Sequence, residues 1–317
     1  MSVNETNHTI GIKVNKKFNG VVVPMVTPIT AALHLDEHAV EKIFANLYKY
    51  ELQPFVLGTT GESASLSMSF KKAYINKAAA LKVAGTHLYI GIGSNCFEES
   101  IELAKTAADK GADVVVATIP SYYALTAVET KKYFEQLANQ SPLPLIIYNI
   151  PGTTHVSLPL SIIEELSYHN NIVGIKDSER NNDRLLASLA LWKDRKDFSH
   201  FVGWAAKSTE ALLSGTDGII PSTGNLFPKL YQDLYKAVQV NDVKQAYAYQ
   251  LISDAVGDIY QSGKTLGSSL WALKYLMYKI ELCEPLVLAP LQNLSNEEGA
   301  QLVAQFNMLL QEYRLGL

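Results

Sequence analysis

Short apolar runs recur along the chain from residue 20 to about residue 222. The first is GVVVPMV at residues 20–26, and seven more follow it: PFVLG, HLYIGIG, DVVVATI, PLIIYNI, IVGIK, HFVGW and DGIIPS. Most are apolar almost throughout and do not alternate with polar residues. This pattern is typical of parallel strands that are covered on both faces, so the sequence predicts eight buried parallel strands.

The segments between these runs have helical spacing. Residues 36–50, DEHAVEKIFANLYKY, and residues 69–85, SFKKAYINKAAALKVAG, place apolar residues three or four positions apart and end near a helix breaker. Strand and helix alternate eight times, which predicts an α/β fold of the (β/α)8 TIM barrel type. A doubly wound open sheet is the competing architecture, but the absence of a dinucleotide-binding fingerprint favours the barrel.

The predicted barrel leaves a segment at each end of the chain. Residues 1–17 are predicted to form an N-terminal arm, residues 18–240 the catalytic barrel and residues 241–317 a C-terminal helical extension. The Tyr and Leu residues of the extension are interpreted as local core, with contact to another subunit as the alternative. One barrel domain is compatible with the 317 residues, since such barrels use about 250 residues and often more.

Composition narrows the possible partners. The chain has 27 Lys+Arg against 31 Asp+Glu and no strongly basic stretch, which argues against nucleic acid as a partner. Cys96 and Cys283 have neither the spacing of a zinc site nor the density of a disulfide scaffold, so we expect a cytoplasmic location. No run approaches the ~20 apolar residues of a membrane span, and none resembles a signal peptide. We therefore expect a soluble enzyme without a membrane partner.

Lys176 ends the sixth predicted strand, in NIVGIKDS. Active sites of (β/α)8 barrels lie at the C-terminal ends of the strands, so its side chain is expected in the barrel mouth. Burial disfavours the ammonium form of a lysine, and a neutral amine attacks carbonyl carbons to form a Schiff base. Most lysines, however, are solvated surface residues, and from position alone the catalytic reading is only slightly favoured.

Tyr148 ends the fifth strand in LIIYNIP, next to the strand that carries Lys176. A phenol in the same cavity can transfer protons as a general acid and base, whereas its ordinary role would be core packing. The turn GTTGES, residues 58–63, follows the second strand. Its glycines and exposed N–H groups suit a carboxylate, and the alternative is a simple turn with Ser63 or Ser65 capping the next helix.

Other polar residues near strand ends have simpler interpretations. GIGSN at residues 91–95 lacks the third glycine of a dinucleotide loop and is interpreted as a turn and helix cap. Asp177 is expected to cap the following helix together with Ser178, with orientation of the lysine loop as the alternative, and Glu62 is expected to be a first-turn helix charge rather than an acid catalyst. The seven histidines show no metal-ligand spacing, so no metal site is predicted.

Three motifs in order, GTTGE, YNIP and GIKDS, resemble the dihydrodipicolinate synthase / N-acetylneuraminate lyase superfamily. The resemblance extends from about residue 20 to residue 225 and continues into the helical tail. It implies a class I pyruvate-dependent lyase or aldolase that uses no cofactor and assembles as a dimer of dimers. It also implies that Lys176 forms the imine, that Tyr148 transfers protons, and that Thr59 links to Tyr148.

The same resemblance assigns the remaining site positions. Tyr122 matches a tyrosine that enters a neighbouring subunit's site, with Tyr123 as the fallback. Thr60, with Gly58 and the loop amides, matches the carboxylate cradle. Further substrate-binding candidates are Thr153, Gly203, Ile220 and Ser222; for Gly203 and Ile220, barrel packing is an equally good interpretation.

Departures from the superfamily's patterns bear on the substrate. Thr153 stands where dihydrodipicolinate synthases have an arginine, and Ala205 and Ala206 stand where sialic acid lyases have acidic residues. GIKDS is closer to the GIKDT of 2-keto-3-deoxy sugar acid aldolases. The predicted function is a lyase that joins or separates pyruvate and an aldehyde. The alternatives are 4-hydroxy-tetrahydrodipicolinate synthase or a related dehydratase, and a non-catalytic sensor of a 2-oxo acid.

Overall fold

The eight predicted strands form a closed parallel barrel in the computed structural model, which describes residues 16–315. Each strand pairs with the next along the chain, and the eighth pairs with the first, which confirms the (β/α)8 prediction. The strands are β1 Gly20–Pro24, β2 Gln53–Val56, β3 Tyr89–Gly91, β4 Val114–Thr118, β5 Leu145–Asn149, β6 Ile172–Asp177, β7 Ser199–Val202 and β8 Gly218–Ile219.

Helices alternate with these strands and then continue after them. Among the described residues they are α1 Glu37–Lys49, α2 Met68–Ala80, α3 Phe97–Asp109, α4 Ala127–Gln140, α5 Pro151–Thr154, α6 Leu160–Leu166, α7 Asn182–Trp192, α8 Ser208–Leu213, α9 Pro228–Gln239, α10 Val243–Gln261, α11 Leu266–Lys279 and α12 Asn296–Glu312. None of the helices in this part of the chain has both the length and the apolar character needed to cross a membrane.

Side-chain caps set the starts of the first two helices. The Asp36 carboxylate accepts from the backbone N–H of Ala39, so α1 begins where the spacing predicts. At α2 the Ser67 hydroxyl accepts from the N–H of Phe70. The alternative interpretation of the turn, in which Ser63 or Ser65 caps this helix, is wrong, because residues 63–65 form a separate 3-10 turn before it.

Residues of each strand alternate between two apolar layers. Val22 points into the barrel with Phe55, Tyr148 and Phe201, while its neighbours on β1 pack against the helices. The two aromatic rings of Tyr89 and Phe201 meet edge to face inside the barrel, with centroids 6.1 Å apart. The lumen is therefore a packed core below the site and not a channel.

A buried ion pair closes the N-terminal end of the barrel. Lys16 Nζ lies 2.8 Å from a carboxylate oxygen of Asp217, just before β8, and donates to the carbonyls of Trp192 and Phe198 near β7. Lys16 falls within the predicted N-terminal arm, residues 1–17, of which residues 1–15 lie outside the described residues.

The helices α10 to α12 pack on the barrel instead of standing apart from it. Trp271, Leu273 and Phe306 are buried in the same apolar cluster as the helix-facing strand residues. The ring of Phe306 on α12 contacts the ring of Phe227, which precedes α9, with centroids 5.8 Å apart. These aromatic and apolar side chains form local core, the preferred interpretation of the extension.

Candidate active site

Lys176 and Tyr148 lie side by side at the C-terminal end of the barrel. They are direct partners in the register of β5 and β6, and both side chains are buried. Lys176 Nζ is 3.8 Å from the centroid of the Tyr148 ring and 5.0 Å from that of Phe55. The parallel register therefore brings the predicted nucleophile and the predicted proton donor into contact.

The phenol of Tyr148 has an altered acidity. Its burial raises the pKa, but the positive charge of Lys176 lowers the pKa by Coulombic attraction to the phenolate. Hydrogen bonds with Thr59, Lys176 and Ser178 lower it further, and the pKa lies below its ordinary value. The Thr59 hydroxyl oxygen is 3.4 Å from the phenol oxygen. A more acidic phenol gives up its proton more readily than an ordinary tyrosine does, which favours a role in proton transfer.

Gly203, at the end of β7, leaves the space that the lysine occupies. A Cβ atom there would lie 3.3 Å from Lys176 Cε and only 2.1 Å from the hydroxyl of Ser178. Any other residue at this position would have to displace the Ser178 side chain, which lowers the pKa of the Tyr148 phenol. Gly203 therefore shapes the site through its lack of a side chain.

The residues that follow the central pair form a buried polar network on the outer face of the strands. Asp177 accepts from Asn149 Nδ2 at 2.9 Å and from Arg184 Nε at 2.7 Å. Asn149 and Asp177 are also register partners. The expected helix cap by Asp177 and Ser178 is wrong, because Asn181 caps α7 and Asp177 links β5, β6 and α7 instead.

The loop of residues 58–62 follows β2 and contains the predicted carboxylate cradle. Its backbone is closed by a hydrogen bond from the N–H of Gly61 to the carbonyl of Gly58. Thr60 is buried, and Thr59 is partly exposed. Glu62 is not a first-turn helix charge as expected: its carboxylate is buried and forms an ion pair with Lys274 on α11.

A cavity of about 550 Å³ opens beside this loop. The predicted residues Gly58, Thr59, Tyr148 and Thr153 line it, together with Phe55 beneath the lysine. This volume falls within the range of small-molecule sites. Four of the ten predicted site residues thus border one cavity, and Lys176 lies against two of its walls, Phe55 and Tyr148.

The cavity also contains a cation that the sequence analysis did not consider. Lys71 on α2 is buried and lines the cavity near Glu99. Burial lowers the pKa of its ammonium group, while the charge of Glu99 opposes this shift. Within residues 16–315, no arginine lines the cavity, and Thr153 occupies the position of the superfamily's arginine.

The other predicted residues lie outside this cavity. Ile220 is buried in the lumen, in accordance with its packing interpretation. The Ser222 hydroxyl is 2.8 Å from the hydroxyl of Tyr260 on α10. Tyr122 is 77% exposed, and its ring meets that of Tyr123 edge to face at 5.0 Å. The single chain does not bring Tyr122 into contact with Tyr148.

Metal ligands do not converge in the described part of the chain. No group of three or more His, Cys, Asp or Glu side chains between residues 16 and 315 is arranged to hold a metal ion. Both cysteines are free, Cys96 at the surface and Cys283 in the interior.

Several residues of the site have partners far away along the chain, and the sequence contains little or no signal for them. Phe55, Asn149 and Arg184 could have been found only in part: Phe55 and Asn149 lie next to strand-end motifs, but Arg184 is in the first turn of an ordinary helix segment. No local signal marks Lys274 as the partner of Glu62.

The closed barrel, with a lysine and a tyrosine paired above its core, defines a barrel enzyme whose site lies at the strand C-termini. The particular family follows from its sequence pattern. The chain belongs to the dihydrodipicolinate synthetase family, whose sequence description matches residues 17–309. Members of this family are class I pyruvate-dependent lyases, and the chain is a lyase of this family.

Curated relatives have several names. The chain is 32% identical over 254 residues to an uncharacterized DapA-like lyase of Thermococcus onnurineus, covering 79% of this chain and 86% of that protein. It is 35% identical over 246 residues to a 4-hydroxy-tetrahydrodipicolinate synthase of Aliarcobacter butzleri, covering 76% and 80%. It is 30% identical over 234 residues to the probable 2-dehydro-3-deoxy-D-pentonate aldolase YjhH of Escherichia coli, covering 73% and 78%.

Solved structures are similar along nearly the whole chain. Dihydrodipicolinate synthase of Bacteroides thetaiotaomicron superposes with a TM-score of 0.87 at 30% identity, covering 93% of this chain and 99% of that one. YagE of Escherichia coli, a prophage protein of the dihydrodipicolinic acid synthase family solved in complex with pyruvate, also gives 0.87, at 28% identity, covering 95% and 100%.

Proposed function

We propose that the protein is a Schiff-base lyase or aldolase that forms or cleaves the bond between pyruvate and an aldehyde, with a 2-keto-3-deoxy acid as the joined compound. One observation carries the proposal: the amine of Lys176 lies buried against the phenol of Tyr148, beside a cavity of small-molecule size. An amine in this position can attack a keto carbon, and the phenol can supply and remove protons.

The proposed reaction begins once Lys176 has released the proton of its ammonium group, and the resulting amine attacks the keto carbon of pyruvate. Tyr148 protonates the departing hydroxyl, and loss of water gives a cationic imine. The Tyr148 phenolate then takes a proton from C3, and the cationic imine accepts the electron pair that is left. The resulting enamine attacks the aldehyde carbon while Tyr148 gives the proton to the aldehyde oxygen. Hydrolysis of the new imine releases the product and restores the lysine. Cleavage follows the same steps in reverse.

The 58–62 loop is proposed to hold the carboxylate of pyruvate. Within residues 16–315, the backbone N–H groups of Thr59 and Thr60 have no protein acceptor, so both are available to an anion. Consecutive free N–H groups in a tight turn form an anion-binding concavity. The hydroxyl of Thr59 faces the phenol of Tyr148, and we assign it the role of passing a proton between that phenol and the bound substrate.

The substrate class rests on what borders the cavity. With Thr153 in place of an arginine, the site lacks the planar fork that grips a second carboxylate. This favours an uncharged hydroxy-aldehyde and agrees with the similarity to a pentonate aldolase. The synthase reaction remains the second candidate, because the relative with that name is 35% identical. A non-catalytic sensor is the third, and it gives no role to the contact of Lys176 with Tyr148.

Trapping with borohydride tests the chemistry. The protein is incubated with pyruvate, reduced with borohydride and weighed by mass spectrometry. We expect the mass to rise by one reduced pyruvate imine, and we expect Lys176→Ala to abolish the rise. Lys71→Met is the matched control, because Lys71 is a second buried amine at the cavity, and this variant should still be trapped.

Each result has a clear meaning. Failure of pyruvate and other 2-oxo acids to give an adduct would favour the sensor, and an adduct lost in Lys71→Met would move the nucleophile to α2. A panel of aldehydes with pyruvate then separates the reactions. Turnover of hydroxy-aldehydes supports the aldolase, whereas turnover restricted to an aldehyde bearing an amino acid carboxylate supports the synthase.

A homo-oligomer, a dimer of dimers, is part of the proposal. Tyr122 exposes most of its ring at the barrel mouth, where a neighbouring copy could receive it. In that arrangement Tyr122 would complete the proton path of the partner's Tyr148. A monomeric mass in sedimentation analysis, together with full activity, would remove Tyr122 from the catalytic set.

A further inference from the structure

Glu62 has an unusual backbone and an unusual environment for a glutamate. It ends the 58–62 loop with a φ of 54°, in the left-handed region that residues other than glycine rarely adopt. Its carboxylate is buried, and Glu62 also lines the cavity. Both features are unfavourable on their own, so the surrounding structure must impose them.

Two groups from the C-terminal extension hold this carboxylate. The ammonium group of Lys274, on α11, forms an ion pair with Glu62 Oε1, and each side chain is only 1% exposed. The backbone N–H of Leu288 donates to Glu62 Oε2 at 2.9 Å. Lys274 also donates to the carbonyl of Leu286 at 2.7 Å, which fixes its own position.

These contacts connect distant parts of the chain at one point. Leu288 and Glu62 are 226 positions apart, yet they meet at the end of the loop proposed to hold the substrate carboxylate. The start of α11 borders the same cavity through Leu266 and Leu270. The C-terminal extension therefore contacts the candidate site directly.

Stability alone is a weak explanation for such a pair. Replacing a buried ion pair by apolar residues of similar volume is often neutral or stabilising, because burying two charges costs about as much as their attraction returns. An ion pair, unlike an apolar contact, holds the two charged groups at one position and in one orientation. The Glu62 pair fixes the turn in a conformation it would not otherwise prefer.

We infer that Glu62 and Lys274 are positioning residues through which the C-terminal extension holds the 58–62 loop in the shape that receives the substrate carboxylate. This inference rests on the proposed function. It predicts that loss of the pair weakens capture of pyruvate and leaves the reaction of bound pyruvate with Lys176 intact.

The test variant is Glu62→Gln/Lys274→Met, which removes both charges and keeps an acceptor for the N–H of Leu288. Borohydride trapping is measured against pyruvate concentration. We expect half-maximal trapping to need roughly tenfold more pyruvate than in the wild type, the equivalent of one lost charged hydrogen bond. The level of trapping at saturating pyruvate should equal that of the wild type.

The matched control is Lys16→Met/Asp217→Asn. It makes the same kind of change in a buried ion pair of similar exposure at the opposite end of the barrel. Its dependence on pyruvate concentration should equal that of the wild type. The single variant Lys274→Arg, which keeps the positive charge and retains Glu62, should have most of the wild-type affinity for pyruvate.

The outcomes separate the two proposals. No trapping in the wild type overturns the proposed function and this inference with it. Trapping in the wild type, with the same half-saturation in the test variant, overturns the inference alone, and so does an equal loss in the control. If the double variant does not fold, Glu62→Asp retracts the carboxylate by one methylene and gives the same readout.

Discussion

Tyr148 shows how two opposing effects decide the acidity of one side chain. Its burial raises the pKa of the phenol, whereas the adjacent ammonium of Lys176 and three hydrogen bonds lower it by more. The net direction is downward because the phenolate forms next to a positive charge in a region of low dielectric constant. Other buried tyrosines behave in the opposite way: desolvation raises the pKa of Tyr133 to about 12.

We predict that Tyr148→Phe will form the pyruvate adduct more slowly and lose most turnover. General acid–base catalysis contributes about 10²–10⁴-fold, and the phenylalanine ring retains the packing but not the proton. Rapid-quench trapping measures adduct formation, and steady-state product release measures turnover. Tyr231→Phe is the control, since this buried tyrosine bonds to Ser253 in the helical layer. Unchanged turnover in Tyr148→Phe would end its assignment as proton donor.

Individual residues differ in how far their surroundings could be foreseen. The positions of Lys176 and Tyr148 at adjacent strand ends follow from the strand pattern alone, because neighbouring parallel strands end at the same side of the barrel. The environments of Glu62 and Asp177 do not follow from it. Both carboxylates find cationic partners on helices, Lys274 and Arg184, and local propensity contains no information about such partners.

At the scale of elements, the ends of β5 and β6 are held by a buried ionic contact. The Arg184 guanidinium on α7 pairs with Asp177, which in turn accepts from Asn149, so one helix fixes two strands. Tyr148 and Lys176 immediately precede Asn149 and Asp177 in the same strands. Strand side chains alternate between the two faces, so the outward-facing pair Asn149 and Asp177 helps to hold the inward-facing pair in place.

We predict that Arg184→Met lowers the free energy of unfolding by about 3–5 kcal/mol, because it leaves the Asp177 carboxylate buried without a counter-charge. It should also slow adduct formation, as the strand ends loosen. Urea unfolding and borohydride trapping measure the two effects. Lys229→Met breaks an exposed pair with Asp233 and should cost less than about 1 kcal/mol. Equal losses in the two variants would argue against the network.

At the scale of the whole molecule, His200 makes the free energy of unfolding depend on pH in the acidic range. Burial lowers the pKa of this histidine to about 3, and the charges of Lys16 and Arg184 lower it as well. In the unfolded chain its pKa returns to about 6.5. Between these values the unfolded state binds more protons than the folded state, so stability falls as the pH falls from about 6.5 towards 3.

We predict that in the His200→Gln variant the free energy of unfolding falls less steeply as the pH is lowered. Below pH 6 the wild type should lose up to about 1.4 kcal/mol per pH unit through this one group, a loss that the glutamine variant lacks. Urea unfolding at several values between pH 7 and pH 4 measures the difference in slope. Parallel curves for the two proteins would show that His200 is not buried in its neutral form.

The sequence by itself determined the barrel and the order of its strands. Eight apolar runs with helical segments between them allow few other closed arrangements, and each motif residue was assigned to a strand end from its position in that repeat. These are properties of short segments, since strand and helix periodicity depends on neighbours a few residues apart.

Only the tertiary structure decided what surrounds those positions. Residues that are distant in sequence meet at three places: the cavity wall at Lys71, the space beside Gly203, and the ion pair between Glu62 and Lys274. Such contacts depend on how helices lie against the barrel, which side-chain periodicity does not encode. The strand-end positions of Lys176 and Tyr148 could be predicted because they belong to local motifs, whereas the contacts around them could not, because these come from elements that meet only when the chain has folded.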